Sequence, residues 1–268
     1  MKPIIEVKNL RKVYRIGTEK VVALQKIDLE IQKGEVCCIL GTSGSGKSTL
    51  LNMLAGLEKP TRGQALLSGV DVTQLSERKL AKFRQRNVGF VFQSYNLMGG
   101  LTALENVAMP LTYQGVSRAK RNKRARAMLK AVGLGNRIYH KPTQMSGGQQ
   151  QRVGIARAFV AKPKIVFADE PTGNLDTKTT MEVMELMVKM ARKNNQTLVI
   201  VTHDPEISVF ADRIVHITDG LIDSDKPNVS IVPPLAEGDD QAAKQGSESG
   251  LLQATADTEA IQAKENVQ

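Results

Sequence analysis

From the first residues to about residue 224, short aliphatic and β-branched runs alternate with longer stretches whose apolar positions recur every three or four residues. Strands are predicted over Ile4–Leu10, Val22–Ile31, Val36–Leu40, Gln64–Leu67, Val88–Phe92, Ile165–Ala168, Leu198–Thr202 and Arg213–Thr218. Helices are predicted over Lys47–Gly56, Arg118–Val132, Gly148–Val160 and Thr177–Lys193, and Leu101–Leu111 fits an ordinary amphipathic helix. Such alternation defines an α/β domain around a largely parallel sheet. From Lys226 onward the texture changes: Pro227, Pro233 and Pro234 interrupt a Gly-, Ser-, Gln- and Ala-rich segment with no aromatic residue. That segment cannot bury enough apolar surface to offset its ordering entropy. The expected organisation is one domain over residues 1–225 and a disordered tail over 226–268, with no internal repeat.

Composition narrows the class. At 268 residues and 41% hydrophobic the chain can build a sizeable core, which excludes a disulfide-stapled miniprotein and a wholly disordered chain. No stretch approaches the roughly 20 consecutive apolar residues of a bilayer-crossing helix. Met1–Val7 contains no apolar signal core, so a cytoplasmic address is expected. The two cysteines, Cys37 and Cys38, are adjacent in a predicted buried strand, where packing is expected rather than a strained bridge. His140, His203 and His216 are too scattered to suggest a metal cluster. Charge is distributed unevenly: the formal net charge is +10, but the residues from 226 carry three basic against seven acidic groups, leaving +14 on the body. Six of the ten positions 117–126 are basic. Without interleaved aromatics to stack bases, they read as a solvated helix face, and no nucleic-acid partner is expected.

The strongest chemical signal follows the strand Val36–Leu40. Gly41-Thr42-Ser43-Gly44-Ser45-Gly46-Lys47-Ser48 has the G-x-x-x-x-G-K-[ST] spacing, and a helix begins at once with Thr49. Gly41, Gly44 and Gly46 let the backbone curl so that successive N–H groups, with those of Ser43, Ser45 and Thr49, face phosphate oxygens at a helix N-terminus. Lys47 adds a full positive charge toward the β- and γ-phosphates, and the Ser48 hydroxyl can ligate Mg²⁺. A second element, Ile165-Val166-Phe167-Ala168-Asp169-Glu170, is an apolar strand ending in two carboxylates. Asp169 is placed to hold Mg²⁺ and Glu170 to polarise the water that attacks the γ-phosphate.

Between these elements stands Met145-Ser146-Gly147-Gly148-Gln149-Gln150-Gln151-Arg152, and with it the chain resembles the ATP-binding cassette (ABC) ATPase family. The family's usual Leu-Ser-Gly-Gly-Gln begins here with Met145, a volume-conserving swap. The resemblance covers residues 4 to 222 and implies further roles: Tyr14 stacks on adenine, Gln93 forms the Q-loop near Mg²⁺ or the attacking water, Asn174-Leu175-Asp176 form the D-loop, and His203 meets the γ-phosphate. It leaves the water organised either by Glu170 alone or by a Glu170–His203 pair. The fold it implies is a P-loop NTPase (RecA-like) core with an antiparallel β subdomain and an ABC helical subdomain. Ser146, Gly147, Gly148 and Gln149 would bind the nucleotide of another subunit, which implies an ATP-dependent head-to-tail homodimer with ATP and Mg²⁺ at its interface.

Narrower phrases, Val91–Met98, Leu101–Leu111 and Thr172-Gly173-Asn174-Leu175-Asp176, are similar to the branch of macrolide-exporter, lipoprotein-releasing and cell-division ATPases, MacB-, LolD- and FtsE-like. That resemblance implies a membrane permease of the FtsX/MacB type as partner and a location at the inner face of the membrane, for export, lipoprotein release or mechanotransmission. A regulatory ATP switch of a cell-division complex is the alternative. Chromosome-maintenance cassettes insert long coiled coils where this chain has only about a hundred residues between Lys47 and Ser146, and translation-factor cassettes come in pairs. Tyr95, Leu97 and Met98 beside Gly99 and Gly100 read as an exposed groove for a short permease helix.

Overall fold

The computed structural model describes residues 2–228, so all but the first three residues of the expected tail lie outside the described residues. In chain order the elements are β1 (Ile5–Ile16), β2 (Glu19–Ile31), β3 (Val36–Leu40), α1 (Lys47–Leu54), β4 (Arg62–Leu67), β5 (Val70–Asp71), α2 (Glu77–Asn87), β6 (Val88–Phe92), α3 (Ala103–Tyr113), α4 (Arg118–Ala131), α5 (Gly147–Phe159), β7 (Ile165–Asp169), α6 (Thr177–Lys193), β8 (Thr197–Thr202), β9 (Arg213–Thr218) and β10 (Leu221–Pro227). They form two sheets. One is four-stranded and antiparallel in the order β2-β1-β4-β5; the other has six strands in the order β10-β9-β3-β8-β7-β6. In the larger sheet β9, β3, β8, β7 and β6 run parallel, and only the edge strand β10 is antiparallel.

The unbroken apolar runs of β3, β7 and β8 are what a parallel sheet covered on both faces demands. Because side chains alternate across a strand, neighbours feed different cores. Cys38, Val166, Ala168, Leu198 and Ile200 join the helices α3 to α6 on one face. Cys37, Ile165, Phe167, Val199 and Val201 join α1 and the antiparallel sheet on the other. The two cysteines therefore point into opposite cores, and burial pushes the Cys38 thiol up to about 12.

Helix termini follow local chemistry. Thr102 and Glu105 form a reciprocal capping box at α3, Ser146 and Gln149 form another at α5, and the Asp176 carboxylate accepts from Thr179 N at α6. Strand pairing in β10 runs through Lys226 and Pro227, opposite Ile214 and Arg213, two residues past the expected domain boundary. Arg213 forms an ion pair with Asp225 that fastens this edge.

Candidate functional site

Register places the chemistry. In the parallel sheet Leu40 lies opposite Thr202, Asp169 opposite Val201, and Phe92 opposite Asp169. The residues that follow these strand ends, the loop from Gly41, Glu170, His203 and Gln93, are therefore gathered along one carboxyl edge, where α/β sheets bind ligands.

The Gly41–Ser48 loop has the geometry its sequence predicts. Gly46 adopts φ 102° and Gly44 φ 82°, which side chains rarely tolerate. A Cβ at Gly41 would sit 2.3 Å from Ile217 O, and one at Gly46 would sit 2.5 Å from Ala23 O, so both must be glycine. Helix α1, like α2 and α4, starts without a side-chain cap, and it has no acidic residue in its first turn. Its first N–H groups are left to an anion. The buried Ser45 hydroxyl also has no partner. Lys47 is 6% exposed, donates to Thr42 O at 2.7 Å, and is held below the usual ammonium range by burial. A buried cation, an orphan hydroxyl and an uncapped helix start together fit a bound phosphate group.

Oxygen donors for a hard cation meet beside it. The Ser48 hydroxyl donates to Asp169 Oδ1 at 3.0 Å. Burial raises the Asp169 carboxyl, only partly countered by that bond and by Lys47. A hydroxyl and a carboxylate fit Mg²⁺, which would supply charge neutralisation for phosphate oxygens. Glu170, at φ 46°, is a non-glycine residue in the left-handed region, held by its N–H to Val201 O at 2.9 Å. Both its carboxylate oxygens lie 2.9 Å from His203 Nδ1. A nitrogen facing a carboxylate donates to it, so His203 Nε2 meets a phosphate oxygen as a donor only when the ring holds both protons. Gln93 is exposed beside Gly173, and its backbone oxygen accepts from Asn174 Nδ2 at 3.0 Å.

Tyr14 stands apart from these groups. Its phenol donates to Glu58 Oε2 at 2.7 Å, while the Lys12 ammonium lies 2.7 Å from Glu58 Oε1 and 5.0 Å from the ring centroid. The cation and carboxylate fix the ring orientation. Ser146, Gly147, Gly148 and Gln149 open instead on a separate cavity of about 310 Å³, shared with Asn174 and Asp176 and lined by no residue of the Gly41–Ser48 loop. A single chain brings the two halves of the expected nucleotide site to different surfaces.

Two residues that the sequence reading passed over tie the parts together. Gln151 is fully buried and donates to Phe92 O at 3.3 Å and to Pro171 O, bridging the strand ends before Gln93 and after Glu170. Its signal was a polar residue in register with the buried Ile155 and Ala158. Arg157 donates to Tyr95 O at 2.8 Å and to Asn96 O, gripping the segment after Gln93. The groove expected at Tyr95–Met98 is corrected by that grip. Leu97 packs partly buried against the core, Tyr95 is half-buried, and of the three apolar side chains expected there Met98 alone is freely exposed. The larger apolar groove, of about 720 Å³, lies beside β6 and is floored by Phe90, Phe92, Met109 and Pro110.

Fold and site together define a phosphate-binding α/β cassette with a separate signature surface. The profile of the ABC transporter family matches residues 24–173. An uncharacterized ABC transporter ATP-binding protein of Thermotoga maritima is 50% identical over 83% of this chain and 95% of its own length. The macrolide export ATP-binding/permease protein MacB of Shewanella sp. is 45% identical over 85% of this chain, which spans only 34% of that longer relative. Among solved structures, the ATP-binding cassette MJ0796, described as dimeric and bound to ADP and Pi, is 42% identical with a TM-score of 0.77, covering 83% of this chain and 98% of that one. The chain belongs to the ABC transporter family, as an ATP-binding domain with the P-loop fold.

Proposed function

We propose that the protein is a Mg²⁺-dependent ATPase subunit that dimerises on ATP and drives a membrane permease of the MacB/FtsX type from the inner face of the membrane. The observation that carries this reading is the meeting of Lys47, the Ser48–Asp169 pair and the Glu170–His203 pair along one sheet edge. In it, Lys47 and the loop N–H groups bind phosphate, and Ser48, Asp169 and Gln93 surround the cation. Tyr14 orients the base. Glu170 takes a proton from the attacking water, with His203 held against its carboxylate. Ser146–Gln149 complete the partner's site. The groove floored by Phe90, Phe92, Met109 and Pro110 receives a short permease segment, since it is apolar and adjoins the strand that leads to Gln93.

The test is Glu170→Gln, which keeps shape and hydrogen bonding but removes the base. Steady-state ATP hydrolysis should fall by roughly 10²–10⁴-fold with nucleotide affinity retained, and ATP should trap a dimer visible by size-exclusion light scattering. Turnover near the parent rate contradicts the role given to Glu170.

A further inference from the structure

The chain's positive charge is concentrated on two helices. The sequence of α2, ERKLAKFRQRN, sets five basic residues against one acid, and that of α4, RAKRNKRARAMLKA, sets seven against none. Their joint surplus of eleven exceeds the formal net charge of +10, so everything else sums to within one charge of neutrality. No basic side chain of either helix forms an ion pair among the described residues. Six of the seven on α4 and four of the five on α2 are exposed. Fold stability gives no reason for a charge this dense, because like charges three or four residues apart on a helix repel.

The C-terminal end of α3 links the two helices. Gln85 of α2 donates to Tyr113 O at the end of α3, Gln114 Nε2 donates to Gln85 O at 2.7 Å, and α4 begins a few residues later at Arg118. Arg78 and Lys82 stand on the rim of the apolar groove that this junction borders. Exposed amphipathic rings accompany the cations: Tyr113 is 69% exposed, and Tyr139 is 63% exposed with the Arg126 guanidinium 5.6 Å from its centroid. Long basic stems and exposed tyrosine rings make up a surface suited to the headgroup layer of a membrane.

We infer that the α2–α4 face docks on anionic phospholipid headgroups, independently of any permease. Cations divided between two helices match a fluid layer of anions, which rearranges to meet them, better than a stiff duplex of fixed phosphate spacing. The inference goes beyond the permease reading, and protein-free vesicles test it alone. The full chain should cosediment with vesicles of three parts phosphatidylcholine to one part phosphatidylglycerol, and not with phosphatidylcholine alone. Replacing Arg118, Lys120, Lys123 and Arg124 by Gln should lower the partition coefficient about tenfold or more, with binding of the parent falling steeply as salt rises. Replacing Lys26, Lys33, Lys189 and Lys193 removes the same charge elsewhere and should change it less than about twofold. Unchanged ATPase in both variants shows that they are folded. Equal loss in both variants, absence of binding to the anionic vesicles, or equal binding to neutral ones overturns the inference. So does tighter binding, at the same ionic strength, to a short DNA duplex that the α4 variant also abolishes.

Discussion

At the scale of single residues, the site holds charges where burial does not favour them. Asp169 sits at the end of a strand buried on both faces, and burial raises its carboxyl despite the Ser48 hydroxyl and the Lys47 ammonium. Lys47 is in turn held low by burial, with Glu170 and Asp169 opposing. A carboxyl with a higher pKa in the folded chain than in the unfolded one binds its proton more tightly when folded. The resulting destabilisation is present above the folded value and fades as pH falls through it toward the unfolded value. Asp169→Asn keeps the shape and removes that cost. The melting temperature of the nucleotide-free protein should therefore rise at about pH 7.5, with the gain shrinking toward about pH 4, while Mg²⁺-ATP turnover is lost. Differential scanning fluorimetry across pH, with an ATPase assay beside it, reads both. A variant no more stable than the parent at any pH removes the argument from burial. The residues on the strand ends were legible in the sequence because each follows an apolar run. The Lys12–Glu58 clamp on Tyr14 was not: 44 residues separate Tyr14 from Glu58, and only the fold joins them.

At the scale of elements, α5 joins the two ends of the site. Its N-terminal turn carries the capping box of Ser146 and Gln149, Gln151 lies beneath the strand ends, and Arg157 grips the segment after Gln93. That segment needs the grip, since Tyr95 and Asn96 both have positive φ, 60° and 47°. Arg157 is largely buried, burial lowers its guanidinium from the usual range, and its hydrogen bonds go to the backbone carbonyls of Tyr95 and Asn96. Arg157→Lys retains charge but reaches only one carbonyl at a time. It should cost about 1–3 kcal/mol in urea unfolding and speed proteolytic cleavage near Tyr95, whereas an unchanged cleavage rate would show the turn to be held by other bonds. The large elements were legible because α6 has a clean helical period and β8 an unbroken apolar run. Helix α2 escaped because Leu80 is its one buried residue, so no apolar stripe marks it. β10 escaped because it is an edge strand of alternating polar residues, interrupted by a register shift between Ile222 and Ser224.

At the scale of the whole molecule, the Gly41–Ser48 loop and the Ser146–Gln149 cavity share no lining residue, although each adjoins a helix N-terminus. In the proposed dimer two copies related by a twofold axis face each loop with the other copy's signature surface, so that every composite site takes Lys47 from one chain and Ser146 from its partner. The geometry predicts complementation. Lys47→Ala alone and Ser146→Arg alone should each be inactive, because every site in either homodimer lacks one half. Losing the Ser146 cap costs about 1 kcal/mol, which leaves the fold intact by circular dichroism. Mixed in equal amounts with ATP, half of the randomly paired dimers contain both variants. In those, one site carries both substitutions and the other carries neither. Hydrolysis should return to roughly a quarter of the parent rate if sites act independently. Cooperativity between the sites would lower that recovery without abolishing it, and a titration of one variant against the other should peak at the equimolar mixture. A mixture no more active than the sum of its separate components would mean that each chain assembles its site from its own residues, and the head-to-tail dimer would fall with it.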